Sequence, residues 1–146
     1  MIPFLKSMKV NSLTMVEVSA GIIKCNNKIL CVQKGLAKYQ YLSDKWEFPG
    51  GKVEKNETPK DTIIRELTEE LKTDISAQTI QHLCDTEYDY PDFHLLMHSF
   101  LIFSDNISFT LTEHKSFKWC TVEELRNLDW AEADKAVVKA IEEYYD

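Results

Sequence analysis

A glycine turn followed at once by a well-marked helix is the feature that most constrains this chain. It lies in EFPGGKVEKNETPKDTIIRELTEEL, residues 47–71. The Gly50-Gly51 pair directly after a proline indicates a tight turn. Thr58 fits the N-cap of a helix, and Pro59 fits its first position, where the missing N–H has no intrahelical partner to lose. The segment therefore predicts a turn that leads into a helix beginning at Pro59.

Three carboxylates share one side of this helix. Glu66, Glu69 and Glu70 lie at positions i, i+3 and i+4, which are neighbours on a helix surface. The apolar stripe on the other side consists of Ile63, Ile64, Leu67 and Leu71. One interpretation is a solvated helix in which Arg65 pairs with Glu69, but a single arginine leaves the other carboxylates unanswered. A divalent cation explains the cluster better, because Mg²⁺ takes oxygen ligands from carboxylates, water and phosphate.

Length, charge and composition limit the class of protein. The chain has 146 residues, 44% of them hydrophobic and 28% charged, which predicts one folded domain over residues 1–146. The net charge of −7 argues against a polymeric nucleic acid as partner, although a metal ion can offset the charge of a nucleotide. No apolar run approaches the roughly 20 residues of a membrane-spanning helix, and MIPFLKSMKV at residues 1–10 is too short an apolar stretch for a signal peptide. We therefore expect a cytoplasmic protein with no membrane partner.

Turns and apolar patterns divide the chain into a mixed series of elements. The predicted strands cover 15–25, 28–34, 45–48, 82–90, 93–103 and 107–120. Thr121 and Glu124 form a capping box for a short helix, and a last helix is predicted over about 131–144. His94 and His98 are interpreted as strand residues and no zinc is predicted, because they lack the helical spacing of a zinc motif. Mixed strands with two main helices predict an α/β domain whose sheet packs between helices.

A longer spacing pattern resembles the Nudix box. Gly51, five residues, Glu57, seven residues and the run RELTEE from Arg65 match that box. The segments EFPGGK (47–52), YDYPDFHLLMHSF (88–100) and EHKSFKW (113–119) resemble its MutT-type branch, and LDWAEAD (128–134) resembles CTP-pyrophosphohydrolase-like members. The resemblance implies the Nudix fold, a mixed β-sheet sandwiched between α-helices. It also implies that Gly51, Glu57 and Arg65 are structural, with Glu57 and Arg65 pairing to hold the loop against the helix.

The resemblance further implies a metal site. The implied ligands of Mg²⁺, for which Mn²⁺ can substitute, are the backbone carbonyl of Gly50 and the carboxylates of Glu66, Glu69, Glu70 and Glu113. Glu69 or Glu113 is implied as the group that takes the proton of water, and Glu66 belongs to the same catalytic set. An ordinary surface acid is the alternative for Glu113.

Six residues are assigned to the nucleotide, namely Lys34, Glu47, Phe48, Lys52, Phe93 and Asp134. Lys52 is expected to meet phosphate, with Lys34 as a second candidate, and both have a solvated lysine as the alternative. Phe48 and Phe93 are expected to sandwich the base, with core packing as the alternative. By resemblance Asp134 faces the base, where relatives selective for 8-oxoguanine typically have Asn. An ionised Asp only accepts hydrogen bonds, which suits the N4 amine of cytosine, and a helix-cap acid is the alternative.

The end of the box departs from the family pattern. Lys72 and Thr73 stand where the family usually has a glycine and an aliphatic residue. That glycine ends the helix in a left-handed conformation, which lysine adopts only at a cost. The helix is therefore predicted to end differently and to run on to Asp74.

The implied function is Mg²⁺-dependent hydrolysis of a nucleoside triphosphate, in which (d)NTP and water give (d)NMP and diphosphate. The MutT-like branch implies 8-oxo-dGTP, CTP or modified cytosine triphosphates as substrates and sanitation of the nucleotide pool as the role. The protein is expected as a monomer or homodimer. The alternative function is a Nudix-fold sensor that binds a nucleotide without turnover.

Overall fold

Seven strands and two helices form the part of the chain that the computed structural model describes, residues 14–146. Residues 1–10, considered above for a signal peptide, lie outside the described residues. The strands are β1 (Thr14–Cys25), β2 (Lys28–Gln33), β3 (Trp46–Glu47), β4 (Gly50–Lys52), β5 (Thr79–Asp89), β6 (Phe93–Phe103) and β7 (Ser116–Cys120). The helices are α1 (Pro59–Leu71) and α2 (Glu132–Tyr144), with short 3-10 helices at Gln40–Leu42 and Glu123–Asn127.

The sheet is mixed, as predicted. Its main order is β3-β2-β1-β6-β5, with β4 paired to β1 and β7 paired to β2. The pair β1–β6 is parallel and the other strand pairs are antiparallel. Asn26 and Asn27 join β1 to β2 with φ of 50° and 66°, the left-handed values that a tight hairpin turn needs.

The sheet lies between the two helices because successive strand residues point to opposite faces. On one face Ile23, Phe100 and Ile102 pack with Ile63 and Leu67 of α1. On the other face Ala20, Ile22 and Leu101 pack with Val137 and Ile141 of α2. The predicted sheet between helices is therefore confirmed.

The predicted strand over 107–120 is wrong in its first part, because only Ser116–Cys120 forms a strand. The preceding residues instead cross the C-terminal end of α1. The backbone N–H of Thr110 donates to the carbonyl of Leu71 at 2.8 Å, and the Thr112 hydroxyl donates to the carbonyl of Glu70 at 2.6 Å. These bonds satisfy carbonyls that the helix itself leaves unpaired, so the segment is held by the helix end and not by the sheet.

The predicted extension of the helix to Asp74 is also wrong. α1 ends at Leu71, and Lys72 takes the left-handed conformation itself, with φ 55° and ψ 38°. The N–H of Lys72 is directed to the carbonyl of Leu67. This conformation costs a non-glycine residue about 1 kcal/mol. Glu70 consequently lies in the last turn of α1.

Candidate active site

A cavity of about 1050 Å³ opens between the β3–β4 turn, the end of α1 and the start of α2. The predicted site residues that line it are Lys34, Glu47, Phe48, Gly50, Gly51, Lys52, Glu66, Glu70, Phe93, Glu113 and Asp134. Glu69, Glu57 and Arg65 lie outside the lining. The fold thus brings together residues from distant parts of the sequence around one cavity.

The two glycines let other groups lie against the β4 backbone. β4 pairs with β1, and a Cβ on Gly50 would lie 1.9 Å from the backbone oxygen of Ser19. A Cβ on Gly51 would lie 2.2 Å from the carboxylate of Glu66. The first contact is with a fixed backbone, whereas the second is with the end of a flexible side chain.

We expect Gly51→Ala and Gly50→Ala to separate function from folding. Gly51→Ala should displace the Glu66 carboxylate and lower the hydrolysis rate at least tenfold, with little change in melting temperature. Gly50→Ala should disrupt the β1–β4 pairing and lower the free energy of unfolding by about 1–3 kcal/mol. Thermal unfolding and nucleotide hydrolysis, measured on both variants, test this contrast, and a Gly51→Ala variant with full activity would contradict it.

Arg65 of α1 connects the helix to the glycine-turn loop through several hydrogen bonds. Its Nε donates to Glu57 Oε2 at 2.7 Å and its Nη2 to Glu57 Oε1 at 3.0 Å. Nη2 also donates to the carbonyl of Lys52 at 3.0 Å, and Nη1 donates to Glu66 at 3.0 Å and to Glu69 at 3.2 Å. Hydrogen bonds, above all those from Arg65, lower the pKa of Glu57 to about 2. The guanidinium therefore fixes the glycine-turn loop and the Glu66 carboxylate in one arrangement.

Glu70 has a buried carboxyl oxygen without a hydrogen-bond partner. Its side chain is buried, and Oε1 has no hydrogen-bond partner. Burial, together with repulsion from the carboxylates of Glu113, Glu47 and Glu66, raises the pKa of Glu70 to about 8. Oxygen atoms of this kind, gathered in one cavity, are the ligand chemistry that a hard divalent cation prefers. Within residues 14–146, no three acidic, histidine or cysteine side chains already surround a metal position, so the carboxylates would have to rotate toward a cation.

His114 belongs to the site although sequence analysis did not single it out. Its side chain is only 5% exposed, and its Nε2 lies 2.8 Å from Glu47 Oε2. Its Nδ1 has no hydrogen-bond partner and lies 3.5 Å from Glu70 Oε1. The only sequence indication was its place directly after Glu113, in a segment that we predicted to be a strand.

Asp134 and Phe48 close the other end of the cavity. Asp134 is buried in the first turn of α2, and its Oδ1 accepts a hydrogen bond from the N–H of Phe48 at 3.1 Å. The Asp134 side chain therefore bonds to the segment between β3 and β4 and does not cap α2. Burial raises the pKa of Asp134, as does repulsion from Glu47. The Phe48 ring is buried and stacks on Trp130 with centroids 4.6 Å apart.

Aromatic side chains surround Phe93 at the mouth of the cavity. Phe93 lies 5.0 Å from Tyr90 and 5.7 Å from Tyr39, measured between ring centroids. Tyr41 stacks on both tyrosines, at 5.3 Å from Tyr90 and 5.4 Å from Tyr39. Sequence analysis did not predict Tyr39 and Tyr41, because their segment between β2 and β3 carries no periodic pattern.

His94 and His98 lie on the sheet face opposite the cavity. The cavity is lined by Phe93, Leu95 and Met97 of β6, so the alternate residues of that strand point the other way. His98 contacts Asp85 at 2.8 Å and Glu17 at 2.7 Å. His94 contacts Asp89 and Glu87, and the histidine ring nitrogens are thereby occupied by carboxylates.

Comparison with known proteins identifies the family. The NUDIX domain model matches residues 15–141. The 8-oxo-dGTP diphosphatase of Proteus vulgaris is 38% identical over 88 residues, which cover 59% of this chain and 74% of the relative. The CTP pyrophosphohydrolase of Escherichia coli (strain K12) is 31% identical over 126 residues, which cover 86% of this chain and 90% of the relative.

A solved structure agrees with these relatives. The solution structure of the E. coli ORF135 protein matches with a TM-score of 0.73 and 30% identity, covering 90% of this chain and 91% of that one. Neither helix in the described part of the chain is long and apolar enough to cross a membrane. Sequence, fold and relatives agree, and the chain belongs to the NUDIX family as a hydrolase that acts on phosphoanhydride bonds.

Proposed function

We propose that the protein is a Mg²⁺-dependent nucleoside triphosphate pyrophosphohydrolase of the MutT type, with (d)NMP and diphosphate as products. The observation that carries the proposal is the buried, unpartnered carboxylate of Glu70, which lines the same cavity as Asp134. At one end of the cavity, carboxylates would bind a cation and lysines would bind phosphates. At the other end, the buried carboxyl group of Asp134 lies beside aromatic rings. This combination suits a nucleotide that is held by both its phosphates and its base.

The carboxylates of Glu66, Glu70 and Glu113, with the carbonyl of Gly50 and with Glu69, would hold the cation. When bound, Mg²⁺ neutralises phosphate charge and lowers the pKa of a water molecule. Lys52 and Lys34 line the cavity and would contact phosphate oxygens.

Glu113 is the better candidate for the general base. It lines the cavity, whereas both carboxylate oxygens of Glu69 accept from Arg65 Nη1 at 3.2 Å on the exposed side of the helix. A Glu113 oxygen would take the proton of the attacking water, and attack at the β phosphorus leaves the monophosphate and diphosphate. Arg65 acts indirectly, by holding Glu66 in place.

A panel of triphosphates with Mg²⁺ tests the proposal directly. It includes 8-oxo-dGTP, CTP, dCTP and modified cytosine triphosphates, with release of diphosphate as the readout. Turnover of at least one member is expected. Binding without diphosphate release from any member would favour the sensor function instead.

Base selection is expected to depend on pH through Asp134. In its ionised form Asp134 only accepts hydrogen bonds, which suits the cytosine amine, whereas the protonated form can also donate to the O6 of 8-oxoguanine. Because burial raises the pKa of Asp134, the preference for 8-oxo-dGTP over CTP should fall as pH rises through that pKa. Asp134→Asn should remove this pH dependence and raise the kcat/KM ratio toward 8-oxo-dGTP about tenfold at high pH.

The matched control is Glu132→Gln, which removes an exposed acid from the same first turn of α2. It should leave the ratio and its pH profile unchanged. An Asp134→Asn variant that loses stability but keeps the ratio of the native protein would make Asp134 a structural residue and leave base choice to other groups of the cavity.

A further inference from the structure

We propose that His114 is a positioning residue that bridges Glu47 and Glu70 and so sets the cation affinity of the site. The inference rests on the proposed function, since it concerns the carboxylate that would ligate the cation. It adds a residue that the Nudix box does not contain.

Both ring nitrogens of His114 face carboxylates on separate elements. Nε2 lies 2.8 Å from Glu47 Oε2, at the end of β3, and Nδ1 lies 3.5 Å from Glu70 Oε1, in the last turn of α1. Lys34 Nζ lies 3.7 Å from the same Glu47 oxygen. A line of polar groups, Lys34, Glu47, His114 and Glu70, therefore crosses the cavity.

His114 contacts Glu47 at hydrogen-bond distance but makes no hydrogen bond to Glu70, the proposed cation ligand. Glu70 Oε1 and His114 Nδ1 are both buried and both without a hydrogen-bond partner. Their separation of 3.5 Å is beyond a good hydrogen bond. A small rotation of Glu70 toward a cation would thus break no existing side-chain bond, while the ring still limits how far the carboxylate can swing.

The loop that carries His114 is held in place by α1, the helix that also carries Glu70. Thr112 donates to the carbonyl of Glu70 at 2.6 Å and Thr110 donates to the carbonyl of Leu71 at 2.8 Å. The ring is consequently placed by the helix end whose carboxylate it faces. Groups that orient a metal ligand in this way typically change metal affinity or activity about 10–100-fold when they are removed.

Two variants separate the two contacts. His114→Gln can place its amide near the position of Nε2 and so keep the Glu47 contact, whereas His114→Asn can place its amide near Nδ1 and so keep the group that faces Glu70. Mn²⁺ affinity is measured on the nucleotide-free protein by titration calorimetry, together with melting temperature, kcat and KM. The control is His82→Gln, which removes a half-exposed histidine outside the cavity lining.

If His114 bridges, both variants should bind Mn²⁺ about tenfold more weakly and lose kcat, with melting temperatures close to that of the native protein. Native Mn²⁺ affinity in either variant, or in both, would overturn the proposed role of His114. The proposed function would still stand if the native protein hydrolysed a triphosphate. A native protein that neither binds Mn²⁺ nor hydrolyses any triphosphate would instead overturn the proposed function and the bridge together.

Discussion

Glu70→Gln is expected to lower the turnover number at least a hundredfold and, in the absence of metal, to raise the free energy of unfolding. The amide is a weaker ligand for a hard cation than the carboxylate, so the proposed site loses a ligand. The same amide cannot ionise, whereas ionisation of Glu70 places a charge on a buried carboxylate that has no partner on Oε1 and is repelled by Glu113, Glu47 and Glu66. One pKa unit corresponds to about 1.4 kcal/mol, so the rise of the Glu70 pKa from 4.5 to about 8 sets an upper limit of about 5 kcal/mol on the gain in the free energy of unfolding. Loss of activity with a gain in stability is a combination that general misfolding does not produce.

The stability gain has a defined dependence on pH. The pKa of Glu70 rises from 4.5 to about 8 on folding, so ionisation in this range opposes the folded state. The difference between Glu70→Gln and the native protein should be absent below pH 4.5, grow as pH rises and level off above about pH 8. Urea unfolding in a chelator, repeated across that range, measures the difference.

Glu69→Gln is the matched comparison on the same helix. Glu69 is a proposed ligand too, so turnover should again fall by orders of magnitude. Its side chain is 54% exposed and already paired with Arg65, so no stability gain is expected. Near-native Mg²⁺-dependent hydrolysis in both variants would rule out the proposed metal site.

The starts of the helices at Thr58 and Thr121 were predictable because local chemistry determines them. The Thr58 hydroxyl accepts from the N–H of Asp61 at 3.1 Å, which is the N-cap bond that the sequence indicated. Thr121 and Glu124 likewise form the predicted capping box, with bonds of 2.9 and 3.3 Å. In each case the partners lie within three residues of one another.

What the sequence did not predict depends on contacts between distant residues. The segment before β7 has the alternation of a strand, but Thr110 and Thr112 bond to the end of α1, which lies about 40 residues earlier in the chain. Lys72 accepts left-handed backbone geometry at a local cost because the packing around the helix end, including the buried Thr73, holds it there. His114 faces the site only because that same segment leaves the sheet.

Arg65→Ala should lower stability and activity together. Arg65 makes a two-pronged contact with Glu57, at 2.7 and 3.0 Å, and these side chains are largely shielded from solvent. Removal of the guanidinium leaves the Glu57 carboxylate without its cation and the loop without its hydrogen bonds to α1, which should reduce the free energy of unfolding. Glu66 loses its bond from Nη1 as well, so kcat should fall at least tenfold. Urea unfolding and steady-state hydrolysis of the best triphosphate in the panel measure the two effects.

Arg65→Lys distinguishes charge from geometry. Lysine keeps the positive charge but cannot form the paired contact with Glu57 while also reaching the carbonyl of Lys52 and the carboxylate of Glu66. If the paired hydrogen bonds of the guanidinium position the loop, the lysine variant should recover only part of the lost stability and little of the lost kcat. If Arg65→Ala were instead stable and merely raised KM, the side chain would have to contact phosphate and not hold the loop.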